Sequence, residues 1–208
     1  MNKLLILLSI IIVLLITFGT IFLTQDHHGV QINVGAAPTR DQVNLAAVRL
    51  ILAGRASELY DFYAFEVGDP MKAALYVQSA MEGDGTHPAP IDLVMAIGWW
   101  EGGHQVDKTD GPNMNGSFDV RPMGLNSMTY HQYTIAELER IEVNIPFGVS
   151  HLVGERQKWG VSWEAALASY NKGSPSGLDQ RQIDYVVNVL RHEWEIDRRF
   201  AARFPEML

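Results

Sequence analysis

Glu101 is the side chain in this 208-residue chain best placed to move a proton. It follows Trp99 and Trp100 and precedes Gly102 and Gly103, and the spacing Leu93, Ile97, Trp100/Glu101 sets it beside apolar residues on one helix face. A carboxyl packed among indoles loses the hydration of its anion, so its pKa rises and it keeps its proton nearer to neutral pH. A general acid requires that property. A glutamate at a helix end also has a plainer use, solvating that end, and its neighbours alone do not choose between the two. Other chemistry-bearing groups are sparse. Tyr170 and Tyr185 stand at core spacing, which packing explains, and Asn144 has the residue type of a helix cap. Within the Asp107–Gly116 stretch, Gly111, Asn113, Asn115 and Gly116 suggest a calcium loop but lack the aspartate at the first position and an acidic twelfth residue, so no metal is expected. His27, His28 and His104 have no ligand spacing with a carboxylate cluster, and with no cysteine there is neither a thiolate site nor a disulfide. No cofactor is called for.

The elements that must position these groups read as helices. Thr39 followed by Gln42 has capping-box spacing, and Val43, Ala46, Ala47 and Leu50 then recur at helical intervals. Asp69-Pro70 opens a second helix carrying Ala74, Val77 and Met81, which Gly83 and Gly85 stop. Asp92 to Glu101 is the helix that bears the acid. Gly102 to Pro122, rich in Gly, Asn, Asp and Pro, reads as a long loop with room for a small hairpin. Asn144-Ile145-Pro146 marks a further start, with Val149, Leu152, Val153 and Trp159 as its stripe and Gly160 as its stop. Ser162 caps a helix with Trp163, Ala166, Leu167 and Tyr170. A last helix runs from about Leu178, with Ile183, Val187, Leu190, Trp194, Ala201 and Phe204 expected to face inward. No sustained alternating pattern occurs, so the body is expected to be all-α.

The ordered series AIGWWEGG, MGLNSMTY, NIPFGVSHL, ALASYNKG and YVVNVL resembles the motifs of the soluble lytic transglycosylase family over roughly residues 68–194. Tyr170, Asn171 and Gly173 match an Ala-Tyr-Asn-x-Gly segment, and Asn144, Ile145, Gly148 and Leu152 match Asn-Ile-x-x-Gly-x-x-x-Leu. Gly124-Leu125 matches Gly-Leu-Met-Gln, but Asn126 and Ser127 stand where Met and Gln are usual, and Gly102 stands where a serine usually follows the glutamate. The spacing from Glu101 to Gly124 is longer than the family's, which leaves Ser117 as the nearest candidate for the serine that precedes Gly-Leu.

The resemblance implies a lysozyme-like helical domain that cleaves the β-1,4 bond between MurNAc and GlcNAc in peptidoglycan. Glu101 would protonate the leaving oxygen, the N-acetyl group would assist departure, and the same glutamate would take the 6-hydroxyl proton to close a 1,6-anhydro ring. Tyr170 would hold Glu101 or the acetamido group, with Tyr185 a second such residue. Trp99, Ser117, Gly124, Leu125, Asn126, Asn144 and Asn171 are the expected substrate contacts, Trp99 by stacking on a sugar ring.

Two alternatives stand beside this reading. One is a hydrolytic lysozyme in which Asp107, Asp110 or Asp119 activates water opposite Glu101. The other is a glycan-binding or assembly module whose altered Gly-Leu-Asn-Ser segment has lost turnover. Composition trims the field further. Beyond residue 24 the chain carries 15 basic against 24 acidic side chains, which disfavours nucleic acid as a partner. Leu4 to Leu23 holds 20 residues without a charge, about 30 Å as a helix and long enough to cross a bilayer. Its length, and the absence of a small-x-small site close behind it, favour an uncleaved anchor over a signal peptide. Lys3 before the run and Asp26 after it orient the body outward, as in a single-pass protein of a bacterial inner membrane; a phage origin stays open. The expected organisation is an anchor over 1–23, a tether over 24–38 and the enzyme domain over 39–208. The expected partners are peptidoglycan strands, the membrane through residues 4–23, and an assembly of the cell envelope or a secretion complex.

Overall fold

The computed structural model describes residues 38–105 and 108–208. The apolar run, the tether up to residue 37 and Asp107 lie outside the described residues. Helix α1 (Arg40–Leu52) begins at the capping box, the Thr39 side chain accepting from Gln42 N while the Gln42 side chain accepts from Thr39 N at 2.8 Å. It buries Val43, Ala46, Ala47 and Leu50. Helix α2 (Ala56–Val67) follows with no side-chain cap, which is why no start signal marks it in the sequence. In α3 (Pro70–Glu82), Asp69 accepts from Met71 N at 2.9 Å and Lys72 N at 3.0 Å, and proline fills the first turn.

Helix α4 (Ile91–Gly102) is the hub. Every residue from Ile91 to Gly98 is buried, the signature of a helix enclosed on all sides, and α3 and α8 (Gln180–Arg203) are its main neighbours. Each of Leu93, Val94, Met95 and Ile97 is fully buried, worth about 1.5–3 kcal/mol apiece as an upper figure. Close packing of α3 depends on Gly98, because a Cβ there would lie 2.0 Å from the Tyr76 hydroxyl oxygen. After α4 come β1 (Thr109–Asp110), β2 (Asp119–Val120) and β3 (Leu125–Asn126), antiparallel in that order. Thr109 pairs with Val120, and Asp119 with Asn126. The long loop thus holds a hairpin, and a third strand extends it.

A short α5 (Ile135–Leu138), then α6 (Ile141–Trp159), α7 (Trp163–Lys172) and α8 complete the body, closed by a 3₁₀ turn at Pro205–Met207. The described residues are mostly helical, with eight α-helices and this one small sheet. Among them no helix is long and apolar enough to cross a membrane.

Two expectations about helices need correction. Helix α6 starts at Ile141, so Pro146 sits inside it and Asn144 is not its cap. The Asn144 side chain is committed elsewhere, to the loop before β3. Helix α8 starts at Gln180, within two residues of the expected Leu178, with Asp179 in a capping box, but its faces differ from those expected. Its inward face is Tyr185, Val189, Glu193, Ile196, Asp197 and Phe200, whereas Ile183, Val187 and Trp194 are 42%, 46% and 47% exposed. Of the two polar side chains inside, Glu193 has a partner there, whereas Asp197 and its neighbour Asp92 each keep a buried carboxyl oxygen without a hydrogen-bond partner among the described residues. Glu193 accepts from Arg40 Nε at 2.5 Å and Nη2 at 2.7 Å, and Asp197 meets Asp92.

Candidate active site

Glu101 occupies the last turn of α4, and the two glycines after it have separate tasks. Gly103 ends the helix in the left-handed conformation, φ +58°, its N–H bonding back to the Gly98 and Trp99 carbonyls. Gly102 leaves space for Arg121, whose side-chain carbons would lie 3.0–3.2 Å from a Cβ at that position.

The opposite wall is Gly124, at φ +65°, where a Cβ would stand 2.5 Å from Glu101 Oε2 and 2.8 Å from its Cδ. Only glycine fits both the conformation and the contact. The segment leading into Gly124 is fixed from behind. Met123 N donates to Asn144 Oδ1 at 2.8 Å, and Asn144 Nδ2 donates to Val120 O at 3.0 Å and Leu138 O at 2.9 Å. The Tyr170 hydroxyl donates to Met123 O at 2.5 Å, and Gly148 admits the Met123 side chain, which a Cβ would meet at 2.5 Å. Helices α6 and α7 therefore hold the glycine against the carboxyl of α4.

Burial pushes the Glu101 pKa up from 4.5 to about 7. The Tyr185 hydroxyl opposes this by favouring the anion, Asp119 and Asp110 raise the value further, and Arg121 lowers it. Tyr185 is the largest influence against the rise, although its buried hydroxyl completes no hydrogen bond of ordinary geometry, and burial outweighs it. Burial first, and then the Glu101 charge, carry the Tyr170 and Tyr185 hydroxyls well above their usual range, leaving both as proton-bearing donors.

Glu101 opens onto a cleft of about 560 Å³, lined also by Trp100, Gly124, Asn171 and Tyr185, by Asp110, Asp119 and Arg121 from the sheet, and by Gln180, Arg181 and Asp184 from α8. The sheet carboxylates are occupied. Asp110 accepts from Arg121 Nε at 2.7 Å and from a second guanidinium nitrogen, while Asp119 accepts from Asn126 Nδ2 at 2.8 Å and Asn113 Nδ2 at 3.0 Å. A second hollow of about 480 Å³ includes Tyr130, Phe147 and His151, and His151 packs against the Tyr170 ring at 5.1 Å.

Of the residues expected from sequence, Glu101, Gly124, Asn171 and Tyr185 meet in the cleft. Leu125 and Asn144 are buried behind it, and the Tyr170 hydroxyl acts on the Met123 carbonyl. Ser117 is 1% exposed; its hydroxyl donates to Asn115 Oδ1 and accepts from Asn113 and Asn126, so it organises the loop. Asn126 links Ser117 to Asp119. Trp99 stacks on His192 at 5.1 Å, outside the cleft, whereas Trp100 lines it. The helical period held that signal, since Trp100 lies about 100° from Glu101 around the helix and Trp99 about 200°. Arg121, Gln180, Arg181 and Asp184 carried no sequence cue. Comparison with family models, with curated proteins and with solved structures gives no match to this chain.

Proposed function

We propose that this chain is a peptidoglycan lytic transglycosylase with a lysozyme-like helical domain, anchored by residues 4–23 in a bacterial inner membrane and acting on glycan strands outside it. The observation that carries the reading is a single carboxyl with a pKa of about 7, facing an open cleft whose sheet carboxylates are already hydrogen-bonded. Such a group is protonated often enough at neutral pH to give its proton to the glycosidic oxygen between MurNAc and GlcNAc, and its anion is then basic enough to take one back. As the C1–O bond breaks, the N-acetyl oxygen supports C1. The carboxylate then removes the proton of the sugar's 6-hydroxyl, O6 bonds to C1, and a 1,6-anhydro ring closes with no water consumed. One acid suffices. The hollow beyond Tyr170, with the Tyr130 and Phe147 rings stacked at 5.8 Å, supports a glycan path longer than the cleft alone.

Mass spectrometry of products from purified sacculi tests the reading, with 1,6-anhydro ends as the expected outcome. Reducing ends would move the assignment to a hydrolytic lysozyme using Asp110 or Asp119 as base. Binding without products would leave a glycan-binding module.

A further inference from the structure

The charged side chains around the cleft are nearly all committed. Arg121 serves Asp110, Asp119 holds two asparagine amides, and Asp184 accepts from Gln180 Nε2 at 2.8 Å. Arg181 differs: among the described residues its guanidinium forms no hydrogen bond or ion pair, and its polar contact is through its backbone N–H to Asp179 at 2.9 Å. Local structure does not account for an arginine at this position. It lies in the first turn of α8, where the helix dipole disfavours a cation by about 0.3–1 kcal/mol. The helix start is already served by Asp179, and an exposed side chain contributes little packing. A residue that works against its own helix while lining the cleft of a candidate acid has its use in the ligand.

We infer that Arg181 is a specificity-determining residue that receives a carboxylate of the substrate lying across Glu101, an inference that rests on the function proposed above. The sugar rings of a peptidoglycan strand are uncharged. Its carboxylates hang from the muramyl unit, as the lactyl carboxylate of a strand stripped of peptide or as the carboxylates of an intact stem peptide. A guanidinium offers a planar fork of donors matched to that group. Asp119 and Asp184 accept only from neutral amides and so keep their negative charge, and Arg181 relieves the repulsion that a substrate carboxylate would otherwise meet from them.

The test titrates soluble strands by calorimetry into the full chain carrying Glu101→Gln, with and without Arg181→Gln. Three strands are compared: peptide-bearing, amidase-stripped, and stripped strands whose lactyl carboxylates have been converted to carboxamides. Arg181→Gln should weaken binding about 10-fold where the recognised carboxylate is present and leave the carboxamide strand unchanged. Loss confined to the peptide-bearing strand assigns the stem peptide, and loss on the stripped strand assigns the lactyl group. Equal weakening on all three strands, or none, overturns the inference. Wild-type turnover on sacculi separates the two readings. Carboxylate-dependent binding without cleavage supports the arginine's role and removes the lytic one, whereas failure to bind any strand removes both.

Discussion

Replacing Glu101 by glutamine keeps the shape that Gly124 accommodates and removes a group whose pKa in the fold is raised from 4.5 to about 7. In the unfolded chain that carboxyl loses its proton near 4.5. Between pH 4.5 and 7 the folded chain therefore binds more protons than the unfolded one, and wild-type stability falls as pH rises. Below this window both states are protonated and nothing is lost; above it the loss is complete and constant. At about 1.36 kcal/mol per pH unit the full loss is about 3.4 kcal/mol, and water in the cleft screens it to about 2–3 kcal/mol. Glutamine carries no such penalty. Urea unfolding of both proteins should give nearly equal stabilities at pH 4 and an advantage of about 2–3 kcal/mol for Glu101→Gln at pH 8, while turnover falls by ~10²–10⁴. The other buried acids are present in both proteins and cancel in the difference. A stability difference that stays flat from pH 4 to pH 8 would falsify the raised pKa, and with it the observation on which the proposed function rests.

Three further substitutions probe the same frame. Gly124→Ala places a methyl against the Glu101 carboxyl at a backbone conformation that disfavours it; kcat should fall about 100-fold, with about 1–3 kcal/mol of stability lost, and a normal kcat would remove Gly124 from the site. Tyr170→Phe leaves the Met123 carbonyl without its donor, so we expect about 1 kcal/mol of destabilisation by chemical denaturation and slower turnover from a loosened Gly124. If both measurements are unchanged, Tyr170 is packing alone. Asp92 and Asp197 are buried at the α4–α8 contact, with Glu193, Tyr63 and Arg40 close by, and burial raises both carboxyl pKa values, from which we predict that the pair holds one proton between them. Their stability contribution is present at low pH and is lost as pH rises. Asp92→Asn donates to Asp197 without titrating, so its melting temperature should gain on wild type between pH 5 and pH 8; parallel curves would contradict the shared proton.

Local signals in this sequence were legible, and long-range ones were not. Thr39 with Gln42, Asp69-Pro70, Ser162 and Gly160 each act within one helical turn, so their residue types state what the backbone does. Helix α2 lacks a side-chain cap and left no such mark. Strands of two residues are too short to show an alternating period, so the sheet beside Glu101 could be foreseen only as a hairpin in a glycine-rich loop. The outward placement of Ile183, Val187 and Trp194 has a nonlocal cause. Glu193 is drawn inside by Arg40, 153 positions away, and no reading of α8 alone contains that partner.

The candidate site divides along the same line. Glu101 was legible because its helix places it beside its own apolar neighbours and because a glycine pair ends that helix at once. What Asn144 and Tyr170 do could not be read, since each acts through a hydrogen bond to the Met123 backbone, 21 and 47 positions away. The fold therefore separates two tasks that the sequence presents together. Helix α4 supplies the acid, raised in pKa by its burial, and α6 and α7 supply the backbone clamp that presses Gly124 against it. A substitution in the clamp should disturb the position of the wall, whereas one in the α4 core should disturb the protonation of the acid. Comparing the pH profile of Tyr170→Phe with that of a core variant such as Ile97→Val separates the two, because only the core variant changes the apolar packing of the helix that carries the carboxyl.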